Sequence, residues 1–224
     1  MRALESILGA NKISEFYGMT ETSPIISLNP IKGRKKARSV GLPVPSTWVR
    51  VVELGMDDRD VPLGEVGEVM VSGPQVMKGY HNQPQETAGV LRQAQDRRWM
   101  RTGDVGRMDA EGYLYLVDRS KDMINISGYK VFPRELEEKI QTHPAIASCA
   151  VVGVADPARP GNELVKLVAT LNPGGRDRPE EEVLQDLTAF LRQELAPYKV
   201  PKVIEFRPEI PLTSVGKVDK KALR

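Results

Sequence analysis

Three polar groupings in this 224-residue chain carry side chains able to do chemistry. The first is Tyr17-Gly18-Met19-Thr20-Glu21. It sets an aromatic ring, a glycine that permits close backbone approach, a hydroxyl and a carboxylate within five residues. The second runs from Arg101-Thr102-Gly103-Asp104 to Asp118-Arg119-Ser120-Lys121-Asp122. A carboxylate such as Asp104 suits a sugar diol, because its two oxygens can accept from both hydroxyls. The third is Gly216-Lys217, near the C-terminal end. A lysine ammonium is a mobile point charge, suited to meeting negative charge that accumulates on a carboxylate and a phosphate.

Each grouping has a plainer reading. Tyr17–Glu21 alone is also a turn after a strand, Thr-Gly-Asp a common turn, and Gly-Lys part of a solvated basic tail. Gly216-Lys217 does not fit a phosphate-binding P-loop. The required first glycine would fall at Pro211, and Val218 stands where Ser or Thr is needed. Cys149 lies in the apolar run Cys149–Val152 and reads as a small buried hydrophobe rather than a nucleophile. Two histidines, His81 and His143, have no second ligand type at a metal-like spacing, which argues against zinc.

The elements that must position these groups come in two halves. From 40 to 118 the chain is strand-like, with runs at 48–53, 67–71 and 113–117 and a hairpin turn over 109–112. The Gly33–Arg38 stretch reads as a solvated basic loop, with phosphate contact as the alternative. The polar Gln93–Arg98 segment reads as an exposed loop insertion. After Arg119 helices and strands alternate. Pro133 opens a helix with Leu136 and Ile140 on one face, and Leu184, Leu187, Leu191 and Leu195 form another apolar face stopped by Pro197. Strands are expected over 148–154, 164–170 and 203–206. A short helix-like stretch opens the chain. The expected fold is α+β: a β-rich portion over 1–118, then a compact α+β domain over 119–224.

Hydrophobic content of 40%, charge content of 28% and a net charge of +2 describe a globular chain with no basic surface for nucleic acid. No run of about 18 apolar residues and no signal peptide is evident, so no transmembrane segment is expected. The expected setting is the cytoplasm, with or without peripheral membrane contact.

Together, in this order, the groupings resemble the later motifs of the adenylate-forming superfamily, which includes acyl-CoA synthetases, luciferases and peptide-synthetase adenylation domains. Gly41–Pro45, Gly73–Met77 and the 118–132 run look most like long- or medium-chain fatty acyl-CoA synthetases. The resemblance implies ATP, Mg²⁺ and CoA as cofactors and a fatty acid as substrate. It places Tyr17 and Gly18 along adenine, Thr20 near the α-phosphate and Glu21 near Mg²⁺. It makes Asp104 the ribose ligand, supported by Arg119, and Lys121 the hinge of a mobile small domain. Ser127-Gly128-Tyr129 would line the pantetheine tunnel, with Gly128 leaving room for the thiol. Lys217 would be the catalytic lysine. Gly67-Glu68 and Gly79-Tyr80 also match family motifs and read as structural.

The family's phosphate loop lies upstream of the Tyr-Gly-x-Thr-Glu segment, and no Gly-rich loop followed by a helix precedes Tyr17. The front of such an enzyme is therefore expected to be absent or supplied by another chain; self-association is a separate expectation. Three functions stay open: an acyl-CoA ligase, a non-catalytic binding or regulatory module, and an adenylation domain serving a carrier protein.

Overall fold

The computed structural model describes residues 7, 12–56, 59–94 and 96–224, and the helix-like opening lies almost wholly outside them. The chain forms two compact units, Met1–Ser120 and Lys121–Arg224. Both mix helix and sheet. Among the described residues no helix is long and apolar enough to cross a membrane.

The first unit is built from β1 (Phe16–Gly18), β2 (Ile25–Leu28), β3 (Leu42–Pro43), β4 (Trp48–Val52), β5 (Gly67–Ser72), α1 (Pro84–Val90), β6 (Leu91–Ala94), β7 (Arg97–Met108) and β8 (Leu114–Arg119). Strands β1-β2-β3 form a small antiparallel sheet. β4, β5, β7 and β6 form a larger one in that order, with β8 also on β7. Period-2 alternation sends Val69, Val71, Met100 and Leu114 to one side, where they pack with Tyr17 and Ile26 of the small sheet. Val52, Met70 and Trp99 pack on the opposite side.

The Gln93–Arg98 segment is not a loop. Among its described residues, Gln93 pairs with Arg98 and Ala94 with Arg97 in a β6–β7 hairpin. Its polarity hides this, because Arg97 lies over the Trp48 ring at 3.5 Å, a contact that exposed hydrophobes would otherwise supply. α1 lies within the stretch that reads as strand-like by sequence; Pro84 at its first turn fixes the helical φ.

The basic 33–38 loop has a structural task. Lys36 Nζ reaches Asp109 Oδ2 at 2.5 Å and Glu111 Oε1 at 2.7 Å, clasping the β7–β8 turn. Burial would raise the Asp109 pKa, but Lys36 and the backbone N–H groups of Tyr113 and Glu111 outweigh it and bring it to about 2. A depressed carboxylate contributes stability above its unfolded value near 3.8, and that contribution is lost as pH falls through about 2. Asp109→Asn is therefore expected to destabilise the first unit at neutral pH, with the gap between variant and parent closing from pH 4 to pH 2. Urea midpoints across that range check it; a constant gap would mean that Asp109 acts only through its shape.

The second unit comprises β9 (Ile124–Ile126), β10 (Tyr129–Val131), α2 (Pro133–Ile140), β11 (Ile146–Ala155), β12 (Glu163–Leu171), the single turn α3 (Pro173–Arg176), α4 (Glu180–Glu194) and β13 (Val203–Phe206). β11 and β12 are antiparallel, and β13 joins β12 in parallel. Leu136 and Ile140 of α2 and Leu187 and Leu191 of α4 bury against Val151, Leu167 and Ala169. The opposite sheet face, with Ala150, Val152 and Val168, is capped by Leu223. On α4 the buried face begins at Val183, whereas Leu184 stays 38% exposed. The leucine repeat, read by itself, places the stripe one residue off at its start.

Candidate functional site in the first unit

Strand β7 changes partner midway. One edge pairs with β6 over Arg97–Met100 and with β8 from Asp104 onward. On the other edge, Met70 and Glu68 of β5 face Arg101 and Val105, so two residues of β5 span four of β7. The extra residues form a bulge over Thr102–Asp104. Gly103 takes φ +71°, a left-handed value that glycine adopts without strain. Thr102 repairs the broken ladder: its Oγ1 donates to Val69 O at 2.8 Å and accepts from Asp104 N at 3.1 Å. Ser120 Oγ donates to Gly103 O at 3.1 Å.

The bulge aims Asp104. Its Oδ2 accepts from the Tyr17 hydroxyl at 2.6 Å, and its Oδ1 lies 3.3 Å from Arg119 Nε. Asp104 is 8% exposed and Tyr17 7%. Burial first, then the Asp104 charge, keeps the Tyr17 phenol protonated, with its pKa well above the ordinary range. Tyr17 is thus a fixed donor at any working pH. An ionised carboxylate offers about four lone-pair sites. Tyr17 and Arg119 orient the group while leaving each oxygen able to accept once more.

Thr20 and Glu21 sit on a single 3-10 turn, Thr20–Thr22, directly after β1. Thr20 is exposed and Glu21 half-buried. Thr22, buried completely, holds the turn: its Oγ1 accepts from Met19 N at 3.2 Å and lies 2.9 Å from Met19 O. Glu21 is fixed twice, by Met77 N–H on its carbonyl at 2.8 Å and by the Tyr80 hydroxyl on Oε1 at 3.0 Å. Tyr80, expected to be structural only, therefore touches a candidate site carboxylate. Fifty-nine residues separate the pair, and no local pattern links them. Among the described residues no three acidic, histidine or cysteine side chains cluster as a metal site.

Three expected residues belong to the second unit. Lys121 is its first residue, exposed, on a 3-10 turn. Gly128 is the second residue of the β9–β10 turn, with Ser127 at φ +50° and Gly128 at φ +91°. A Cβ at Gly128 would meet nothing within 4 Å. Lys217 is exposed at the base of a tight loop, where Thr213 N donates to Lys217 O at 2.6 Å and Thr213 Oγ1 accepts from Lys217 N at 3.2 Å. Cys149 is half-buried and burial pushes its pKa up to about 12, so it is no nucleophile.

The sequence model of the AMP-binding enzymes matches residues 1–81, and that of the AMP-binding enzyme C-terminal domain matches residues 135–217. The long-chain-fatty-acid–CoA ligase of Bacillus subtilis is 45% identical over 98% of the chain, which spans 37% of that protein. A feruloyl-CoA synthase of an Amycolatopsis species is 42% identical over 93% of the chain, spanning 40% of that protein. Among solved structures, an ATP-bound RpMatB–BxBclM chimera superposes with a TM-score of 0.83 at 33% identity, covering 95% of this chain and 40% of the chimera. The chain thus spans about two fifths of the length of the relatives it matches.

Proposed function

We propose that this chain, which belongs to the adenylate-forming AMP-binding enzymes, supplies the C-terminal part of an ATP-dependent fatty acyl-CoA ligase. The reaction has two steps. A carboxylate oxygen of the fatty acid bonds to the α-phosphorus of ATP as pyrophosphate leaves. The thiol of CoA then bonds to the acyl carbon as AMP leaves.

The observation that carries this reading is the orientation of Asp104 by Tyr17 and Arg119. A nearly buried carboxylate with two remaining acceptor sites suits the 2′- and 3′-hydroxyls of a ribose. Thr20, exposed on its turn, offers a hydroxyl toward the α-phosphate, and Gly18 lets the backbone run close to adenine. Lys217 contributes a cation to the charge that develops as the carboxylate attacks. Lys121 serves as the hinge through which the second unit changes role between the steps, and Gly128 leaves the pantetheine arm unobstructed.

Glu21 fits a magnesium ion. Tyr80 occupies Oε1 only, and Mg²⁺ takes one or two carboxylates together with substrate phosphates and water. The ion, when bound, would neutralise phosphate charge; Tyr80 keeps the Glu21 carboxylate turned for it.

Asp104→Asn tests the ribose assignment in an intact ligase carrying this sequence as its C-terminal part. The amide preserves an acceptor for Tyr17 and so the fold, but loses the charge that strengthens bonds to the diol. ATP affinity should fall about 10–100-fold, the loss of one to two charge-assisted hydrogen bonds. Unchanged ATP affinity in the folded variant would rule Asp104 out as the sugar ligand.

A further inference from the structure

The second unit contains a pocket of about 380 Å³ whose lining includes Lys121, Asp122, Thr213, Lys220, Lys221 and Arg224. It joins the first residues of the unit to its last turn. Arg224 Nη2 donates to Lys121 O at 3.3 Å and lies 3.4 Å from Asp122 Oδ1.

The charges around this pocket do not balance. Asp122 faces Arg224. The Oδ1 of Asp219, also in the lining, accepts from the backbone N–H groups of Lys221 and Ala222 at 3.1 and 3.2 Å. Lys220 Nζ lies 2.9 Å from Glu137 Oε1. Lys121 and Lys221 are left with no side-chain partner among the described residues. Four cations, Lys121, Lys220, Lys221 and Arg224, meet three carboxylates, Asp122, Glu137 and Asp219, and the surplus positive charge at a concave surface focuses a positive potential there. Thr213 adds a hydroxyl that accepts from Lys217 N–H and still has its own proton to donate.

We propose that this pocket binds a phosphate-type oxyanion, with Lys121 and Lys221 as its cationic ligands and Thr213 as a neutral donor. The inference goes beyond the ligase reading and does not depend on it. Because Lys121 opens the second unit, a bound anion would tie the boundary peptide to the C-terminal turn and hold it more rigidly.

Calorimetric titration of the 224-residue chain with orthophosphate and with pyrophosphate at low ionic strength tests this. Saturable binding of one equivalent is expected. Tighter binding of pyrophosphate would identify a two-phosphoryl ligand, and equal affinities a single phosphate. Lys121→Gln should weaken binding roughly tenfold, the loss of one charge-assisted contact, and Lys121→Gln with Lys221→Gln should abolish it. Lys130→Gln, an exposed lysine outside the pocket, should leave it unchanged. Tryptic cleavage after Lys121 should slow several-fold with pyrophosphate in the parent chain, and not in Lys221→Gln. Absent saturation, binding unchanged in the double variant, or equal loss in Lys130→Gln would each overturn the site.

Discussion

Gly18→Ala is expected to unfold the first unit while leaving the second intact. A Cβ on Gly18 would stand 1.7 Å from Pro24 O, 2.7 Å from Pro24 C and 2.9 Å from Ile25 Cα. All three are backbone atoms, so no side-chain rotation relieves the overlap. The β1–β2 pairing at Gly18 and Ile25 and the 2.8 Å bond from Met19 N–H to Pro24 O must give way. Tyr17, the neighbouring residue, would carry its bond to Asp104 with it. The cost should be on the order of 4 kcal/mol, comparable to the whole stability of a marginal domain. Guanidinium unfolding followed separately for the two units measures it. A loss below about 1 kcal/mol would mean that the hairpin yields more easily than its geometry implies.

Lys217→Ala and Gly128→Leu should fail in different half-reactions of an intact ligase with this C-terminal sequence. In the role proposed for Lys217, removing its ammonium would withdraw one contact to developing charge, an expected loss of roughly 2.7–4 kcal/mol, or about 10²–10³ in rate. It should fall on acyl-AMP formation and spare thioester formation from supplied acyl-AMP. A Cβ at Gly128 meets no atom of the chain within 4 Å, so the expected cost of leucine to the fold is mainly that of a side chain at φ +91°. Its obstruction should fall on the thioester step. Single-turnover rates of each step decide the matter; equal damage to both steps by both variants would remove the division of labour.

What the sequence discloses and what it conceals divide along the distance over which residues cooperate. The helix at Pro133, with Leu136 and Ile140 one turn apart, follows from local spacing and stands where spacing puts it. The 109–112 turn does too, because Asp109 caps it locally by accepting from Glu111 N–H and Tyr113 N–H. Thr-Gly-Asp is visible as a motif, but the bulge that aims Asp104 depends on β7 passing from β6 to β8, a matter of sheet order. The Tyr17–Asp104 bond spans 87 residues, and Tyr80–Glu21 spans 59. Neither pair has a periodicity to betray it. Thr22 carries no signal in the sequence, because a buried threonine beside an exposed Thr20 looks like more of the same turn. The 93–98 hairpin was hidden by polarity, since backbone pairing and an Arg97–Trp48 contact hold it where hydrophobic alternation would normally signal a strand.

In the proposed function, these residues complete an adenylate-forming site. Fatty-acid-dependent ATP–pyrophosphate exchange tests it, with these 224 residues replacing the matching C-terminal segment of the Bacillus subtilis long-chain-fatty-acid–CoA ligase. Exchange is expected from the folded chimera and little or none from the 224-residue chain by itself, because donors around the transferred phosphate carry most of such catalysis. A folded chimera that binds ATP yet shows no exchange with any fatty acid, or robust exchange by the isolated chain, would contradict it.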